Sequence, residues 1–109
     1  MKDWQLLTEK LRQFNLERDW SQFHNPKDLA LALSIEAAEL NELFLWKQPW
    51  EANPLKVKEE LADIFAYALL LADKYNLDIN EIVTDKISQN AQKYPANKAK
   101  GNARKYDEL

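Results

Sequence analysis

Hydrophobic and polar positions follow a helical period through most of the chain, with apolar residues recurring every three to four positions. A capping asparagine followed by proline marks two helix starts, at Asn25 and at Asn53. The segment from Asn76 to Asp78 interrupts the pattern, and Pro95 ends it, because proline cannot donate to the helical ladder. The pattern predicts four helices, over about residues 1–19, 26–46, 54–75 and 79–93.

The third predicted helix is apolar on every side from Ile64 to Ala72. A helix of this kind needs cover all round, and three neighbouring helices can hardly provide it. We therefore predict a partner subunit. Leu69 projects about 120° away from Asp63 on a helical projection and is expected to face that subunit. The alternative is a helix placed centrally within a monomer.

The amino-acid composition agrees with the predicted helical structure. One Gly and four Pro in 109 residues supply few turns for a β-rich fold, whereas Ala, Leu, Glu and Lys favour helices. The length allows one domain, residues 1–109, ending in a flexible basic tail over about residues 96–109. The expected fold class is all-α, as a four-helix bundle.

Charge and residue usage exclude several classes of protein. A net charge of −3 argues against a nucleic-acid binder, and the longest apolar run is too short to span a membrane. The chain begins without the apolar core of a signal peptide, so the expected location is cytoplasmic. With no Cys and one His, any bound metal is expected to be a hard cation held by oxygen.

Two acidic pairs occupy positions that should be apolar. Glu36 falls in the middle of the apolar stripe of the second helix, with Glu39 on its shoulder. Glu60 and Asp63 form a similar pair in the third helix. Two carboxylates about 4 Å apart repel by roughly 4 kcal/mol at an effective dielectric of about 20. These four residues predict a site for Mg²⁺ or Mn²⁺. The alternative is a solvated acidic face on a non-catalytic helical oligomerisation module.

Other residues are candidates for nucleotide contacts. Lys86, Asn90 and Lys93 share one face of the fourth helix and could neutralise phosphate oxygens. Trp20 and Trp46 lie near loops and could stack on a base. The alternatives are that the lysines are solvated and that each tryptophan packs in the core. His24, just before the Asn25 cap, is interpreted as structural.

The acidic pairs have the order Glu-x-x-Glu, a spacer, then Glu-x-x-Asp, and with them the sequence resembles the all-α nucleoside triphosphate pyrophosphohydrolases of MazG type. It is most similar to the short, single-domain dCTP pyrophosphatase branch of that family. Four stretches carry this closer likeness: 17–24, 36–47, 90–95 and 104–109.

The resemblance implies a dimer, or a dimer of dimers, that hydrolyses a (d)NTP to the monophosphate and pyrophosphate. dCTP or a modified dCTP is the expected substrate. A related hydrolase preferring dUTP or another non-standard nucleotide is the alternative, because some members of the branch have a His where this chain has Leu11. The resemblance implies that the Mg²⁺ ligands are Glu36, Glu39, Glu60 and Asp63. It also implies that the base is contacted by Trp20 and Trp46, and that the nucleotide pocket is lined by Tyr67, Lys86 and Asn90.

The implied reaction also needs a proton acceptor for the attacking water. No Cys is present and the single His is interpreted as structural, so a carboxylate is expected in that role, and Glu39 is our choice.

Overall fold

The computed structural model describes residues 3–109, and over this range the chain forms helices and turns without a strand. This confirms the all-α expectation. Two short 3₁₀ helices, Ser21–Phe23 and Tyr106–Glu108, accompany five α-helices. The α-helices are α1 (Asp3–Glu17), α2 (Pro26–Glu42), α3 (Pro54–Lys74), α4 (Ile79–Lys93) and α5 (Ala96–Ala99).

Side-chain caps explain where three of these helices begin. The Asn25 carboxamide oxygen accepts a hydrogen bond from the Asp28 N–H at 2.9 Å, and Pro26 takes the first position of α2. Asn53 caps α3 and Asp78 caps α4 in the same manner. Each cap satisfies an N–H group that has no partner within its helix. The predicted starts of α2, α3 and α4 are confirmed.

The end of α2 differs from the prediction, because the helix stops at Glu42 rather than near Trp46. Residues 43–46 form turns, in which the Lys47 N–H donates to the Phe44 carbonyl at 3.2 Å. Trp46 has a φ of 61°, a left-handed conformation that cannot continue a right-handed helix. Apolar periodicity persists beyond Glu42 although the backbone has already turned, which is why the sequence pattern overestimates the length of α2.

The core of the first compact unit, which ends at Leu77, forms where α3 packs against α2 and α1. Its buried apolar residues are Leu29, Ala52, Leu69, Leu70 and Ala72. Leu69 is only 5% exposed within its own chain, so the prediction that it faces a neighbouring subunit is wrong. The exposed apolar side chains of α3 include Leu61 and Phe65, and Phe65 stacks on Trp4 with ring centroids 6.0 Å apart. Helical angles alone could not show which side of α3 the other helices of the chain cover.

The second compact unit, Asp78–Leu109, contains α4, α5 and the final 3₁₀ helix. Tyr94 and Tyr106 meet edge to face within it, with ring centroids 6.1 Å apart. The predicted basic tail therefore contains two helical segments and an aromatic contact to the end of α4. Its flexibility, and the single-domain organisation of residues 1–109, stay predictions. Among residues 3–109, no helix has the length and apolar character needed to cross a membrane.

Candidate metal centre

Three carboxylates from two helices converge where α2 packs on α3. Glu36 of α2, and Glu60 and Asp63 of α3, each place a carboxylate oxygen within 4.8 Å of the other two. Glu60 and Asp63 share a face of α3 because they are three residues apart. Packing of α2 on α3 then adds Glu36. Glu36 and Glu60 are half-buried, whereas Asp63 is exposed and leaves the cluster open to solvent on its side.

Two oxygens in this cluster are buried without compensation. Glu36 Oε2 and Glu60 Oε2 are shielded from solvent, and neither has a hydrogen-bond partner in the described chain. An unpaired buried carboxylate oxygen is costly, and a second negative group nearby adds repulsion. A hard divalent cation with oxygen ligands removes both costs at once. The donor set and the unpartnered oxygens therefore suit Mg²⁺ or Mn²⁺.

The electrostatics of the cluster disfavour its ionised form when no cation is bound. The pKa of Glu36 is raised from 4.5 to about 7, mainly by burial and secondly by hydrogen bonding with Glu39 and Glu60. Burial is also the main cause that raises the pKa of Glu60. A hydrogen bond between two carboxyl groups requires a proton on one of them. At pH values near 7 Glu36 is therefore partly protonated, and a bound cation would displace that proton.

Glu39 lies beside this cluster without belonging to its closest three members. It affects the pKa of both Glu36 and Glu60 through hydrogen bonding and through its charge, so it is their neighbour. Its oxygens are not among those that meet within 4.8 Å. The structure thus brings carboxylate oxygens of three of the four predicted ligands close together, and it places the fourth, Glu39, next to them. This arrangement leaves Glu39 available for a role other than metal coordination.

The predicted aromatic contacts occupy three different settings in the first unit. Trp46 is fully exposed in the turn after α2. Trp20 is 46% exposed and packs edge to face on Phe14, with ring centroids 5.7 Å apart. Tyr67 is half-buried on α3, one turn beyond Asp63. Neither tryptophan is a core residue of this chain, so the core-packing alternative fails for both within the monomer.

The predicted phosphate contacts all belong to the second unit. Lys86 and Asn90 are exposed on α4. The Lys93 ammonium group lies over the Tyr106 ring, 5.1 Å from its centroid. This contact is a cation–π interaction, in which the ring face attracts the positive charge. Lys93 thus has a defined neighbour, and the roles of all three residues toward a nucleotide stay predictions.

One buried polar residue escaped the sequence analysis. Asn15 of α1 is 5% exposed, and its Nδ2 atom lies 3.4 Å from His24 Nδ1. The signal was present, because Asn15 follows Leu11 by four residues and so falls on the apolar stripe of α1. A polar residue on an apolar stripe is the anomaly that also identified Glu36.

The fold and the acidic cluster define a helical protein with a candidate carboxylate metal centre between two helices. Residues 31–109 match the sequence model of the MazG-like family. The chain therefore belongs to the MazG-like family.

Named relatives agree with this assignment. The dCTP pyrophosphatase 1 of Homo sapiens is 41% identical over 105 residues, which cover 89% of this chain, and that of Mus musculus is 40% identical over the same length. The matched segment spans 62% of each of these relatives, so this chain corresponds to about three-fifths of their length. A pyrophosphatase from Archaeoglobus fulgidus has a similar crystal structure, with a TM-score of 0.81 and 36% identity. The match covers 87% of this chain and 94% of that one.

Proposed function

We propose that this protein is a Mg²⁺-dependent nucleoside triphosphate pyrophosphatase that converts a (d)NTP into the monophosphate and pyrophosphate. The observation that carries the proposal is the meeting of Glu36, Glu60 and Asp63, with two buried oxygens left unpartnered. The similarity to dCTP pyrophosphatases and to an archaeal pyrophosphatase supports the same chemistry. It also makes dCTP, or a modified dCTP, the proposed substrate.

The proposed reaction is hydrolysis at the α-phosphorus. A bond forms from the water oxygen to the α-phosphorus, and the bond from that phosphorus to the oxygen bridging to the β-phosphate breaks. Glu36, Glu60 and Asp63 would hold Mg²⁺, with Mn²⁺ as a substitute. When bound, the cation supplies positive charge to the phosphate oxygens and stabilises pyrophosphate as the leaving group.

Glu39 is the proposed proton acceptor for the attacking water. It borders the cluster, since it influences both Glu36 and Glu60, yet it lies outside the closest group of oxygens. A carboxylate next to a cation site, but not consumed by coordination, is placed to accept a proton from water held there. The water proton therefore passes to Glu39 as the bond to phosphorus forms. Coordination of the cation by Glu39 is the alternative role proposed for this residue.

Nucleotide recognition is assigned to exposed side chains. Trp20 and Trp46 are proposed to contact the base, because both keep aromatic surface open to solvent. Tyr67, one turn after Asp63 on α3, is proposed to line the pocket. The proposed phosphate contacts are Lys86, Asn90 and Lys93.

The working form is proposed to be a cytoplasmic homo-oligomer, a dimer or a dimer of dimers. Exposed apolar side chains on three helices support self-association, since burying them against a second copy would remove them from water. They are Leu31 and Ile35 on α2, Leu61 and Phe65 on α3, and Ile82, Val83 and Ile87 on α4.

A product assay tests the proposal directly. The protein is incubated with each dNTP and with dUTP, in Mg²⁺ or in chelator, and the phosphate products are separated over time. We expect the monophosphate and pyrophosphate to appear together, only with the cation, and fastest with dCTP or a modified dCTP. Early appearance of the diphosphate and orthophosphate would overturn the assignment of the cleaved bond. Absence of any turnover would favour the non-catalytic oligomerisation module.

A further inference from the structure

The end of α1 is built to fix the position of Trp20. The Trp20 N–H donates to the Asn15 carbonyl at 2.9 Å, and the Asp19 N–H donates to the Leu16 carbonyl at 3.1 Å. Asp19 between them has a φ of 54°. These two bonds around a left-handed residue form a Schellman motif, which ends a helix and sets the direction of the following residue. Trp20 is that following residue.

The Trp20 ring is held as well as its backbone. It packs edge to face on Phe14, in the last turn of α1, at an interplanar angle of 70°. A Schellman motif usually has such a hydrophobic contact between the residue after the turn and the last helical turn. The residue as a whole remains 46% exposed, so the contact positions Trp20 and still leaves surface for a ligand. The Arg18 guanidinium covers Phe14, 3.7 Å from the ring centroid.

Asn15 also holds the far end of the short segment that carries Trp20. Its side-chain Nδ2 lies 3.4 Å from Nδ1 of His24. Between these ends, the Phe23 N–H donates to Trp20 and the His24 N–H donates to Ser21, which closes a 3₁₀ turn. The segment from Trp20 to His24 is therefore attached to Asn15 at both ends, through its main-chain carbonyl and its carboxamide.

Asn15 is a polar residue in a buried position, and its carboxamide contacts the His24 ring. It is the one buried polar residue in the part of the chain that the structure describes, on a stripe where Leu would pack without desolvation cost. Holding a segment in its ligand-ready conformation before binding lowers the entropy lost on binding. Asn15 contributes to this effect at both ends of the segment, through its main-chain carbonyl at Trp20 and through its side chain at His24.

We infer that Asn15 and His24 are positioning residues that hold Trp20 ready for the nucleoside base. The inference rests on the proposed function, since it assigns the base contact to Trp20. Asn15 and His24 touch neither the base nor the phosphates in this scheme. Their effect reaches the substrate only through Trp20, so it falls on substrate affinity and base preference and leaves the acidic cluster unaffected.

Steady-state kinetics of three variants test the inference. Asn15→Leu and His24→Leu remove the side-chain contact, whereas His24→Asn keeps an acceptor close to the position of Nδ1. We expect KM for the preferred nucleotide to rise roughly fivefold in both Leu variants, the effect of losing one hydrogen bond. We expect kcat to change by less than about twofold in these variants. His24→Asn should retain most of the wild-type affinity for the nucleotide. Circular dichroism melts confirm that each variant is folded at the assay temperature.

A double-mutant cycle with Trp20→Leu decides whether the effect passes through Trp20. In that background, Asn15→Leu and His24→Leu should leave KM and base preference unchanged, because the group they position is gone. A persistent KM effect, or a loss confined to kcat, overturns the inference. If Asn15→Leu does not fold, the same comparison with His24→Leu decides. An active wild type with unaffected variants refutes only this inference, whereas a wild type inactive on every nucleotide refutes the proposed function.

Discussion

Glu36 on α2 and Glu60 on α3 approach each other with one buried, unpartnered carboxylate oxygen apiece. Their helices do not need this contact for packing, since apolar residues such as Leu29 and Leu70 form the core. We therefore expect the pair to lower the stability of the cation-free protein, a cost that the proposed cation would offset. Active sites often carry such a cost, and its size can be measured by removing one charge.

Replacing Glu36 by Gln should separate stability from cation binding. With one buried anion removed, we expect Glu36→Gln to melt at a higher temperature than wild type in chelator. We expect the increase in melting temperature on adding Mg²⁺ to disappear, because the site loses a ligand. Thermal melts with and without Mg²⁺ measure both effects. Glu42→Gln, an exposed residue of the same helix, is the control and should keep the wild-type response. A destabilised Glu36→Gln in chelator would show that Glu36 is structural.

The pH dependence of stability follows from the raised pKa of Glu36. The folded group titrates at about 7 and its ordinary pKa is 4.5, so between these values the folded state binds more protons than the unfolded state. In chelator, the stability of the folded state is therefore fully retained below pH 4.5 and is reduced as pH rises through about 7, where the folded group ionises. We expect the stabilisation by Mg²⁺ to grow over the same range, since the cation needs the ionised group. Melts from about pH 5 to about pH 8 measure this, with Glu36→Gln subtracted as the reference.

The ion pair between Arg12 and Asp73 joins α1 to α3. The guanidinium donates to both carboxylate oxygens, with the Nε to Oδ2 distance at 2.8 Å, and this hydrogen bonding lowers the pKa of Asp73. Asp73→Asn should reduce the free energy of unfolding by about 1 kcal/mol at neutral pH, since the pair is partly exposed.

The loss of unfolding free energy in Asp73→Asn should become smaller as pH falls below 3.8, the ordinary pKa of an Asp side chain. At low pH the wild-type carboxylate becomes protonated and no longer pairs with Arg12. Denaturant titrations at several pH values measure it. Asp85→Asn on α4 is the control, expected to change stability little. Equal losses in the two variants would mean that the ion pair contributes nothing specific.

Self-association should depend on apolar residues that the chain itself leaves exposed. Ile35 and Leu31 lie one turn apart on α2, both exposed. Burying one large apolar side chain is worth roughly 1.5–3 kcal/mol, and a symmetric dimer gains each contact twice. We therefore expect Ile35→Glu to lower the sedimentation-derived mass while the helical content is retained. Lys27→Gln makes the same change in net charge and should leave the assembly intact. A monomeric wild type would remove the proposal of a homo-oligomer.

The left-handed residue at the end of α3 offers a test of local structure. Asn76 has a φ of 53°, and the Leu77 N–H reaches the Ala72 carbonyl at 3.0 Å, as in a Schellman motif. Asn tolerates this conformation and Gly adopts it without strain, whereas Ala does so at a cost of about 1 kcal/mol. We expect Asn76→Ala to lower the melting temperature and Asn76→Gly to leave it equal or higher. The opposite order would show that the Asn76 side chain makes a contact of its own.

Local chemistry in the sequence determined the helices and the candidate chemistry. The caps at Asn25, Asn53 and Asp78 act within a few residues, so their effect can be read without knowledge of the fold. The acidic anomalies at Glu36 and Glu60 were visible for the same reason, since a helical projection needs only the period of the helix. The family resemblance then supplied the expected reaction.

Only the tertiary structure decided which faces of the helices pack against each other. Leu69 had the angle expected of an interface residue, yet the other helices of the chain bury it, and Phe65 is exposed instead. The convergence of Glu36 with Glu60 and the contact of Asn15 with His24 depend on how α2 and the end of α1 are placed in space. Helical periodicity fixes directions around one axis, but the positions of neighbouring axes follow from packing many side chains at once, which no single segment of sequence encodes.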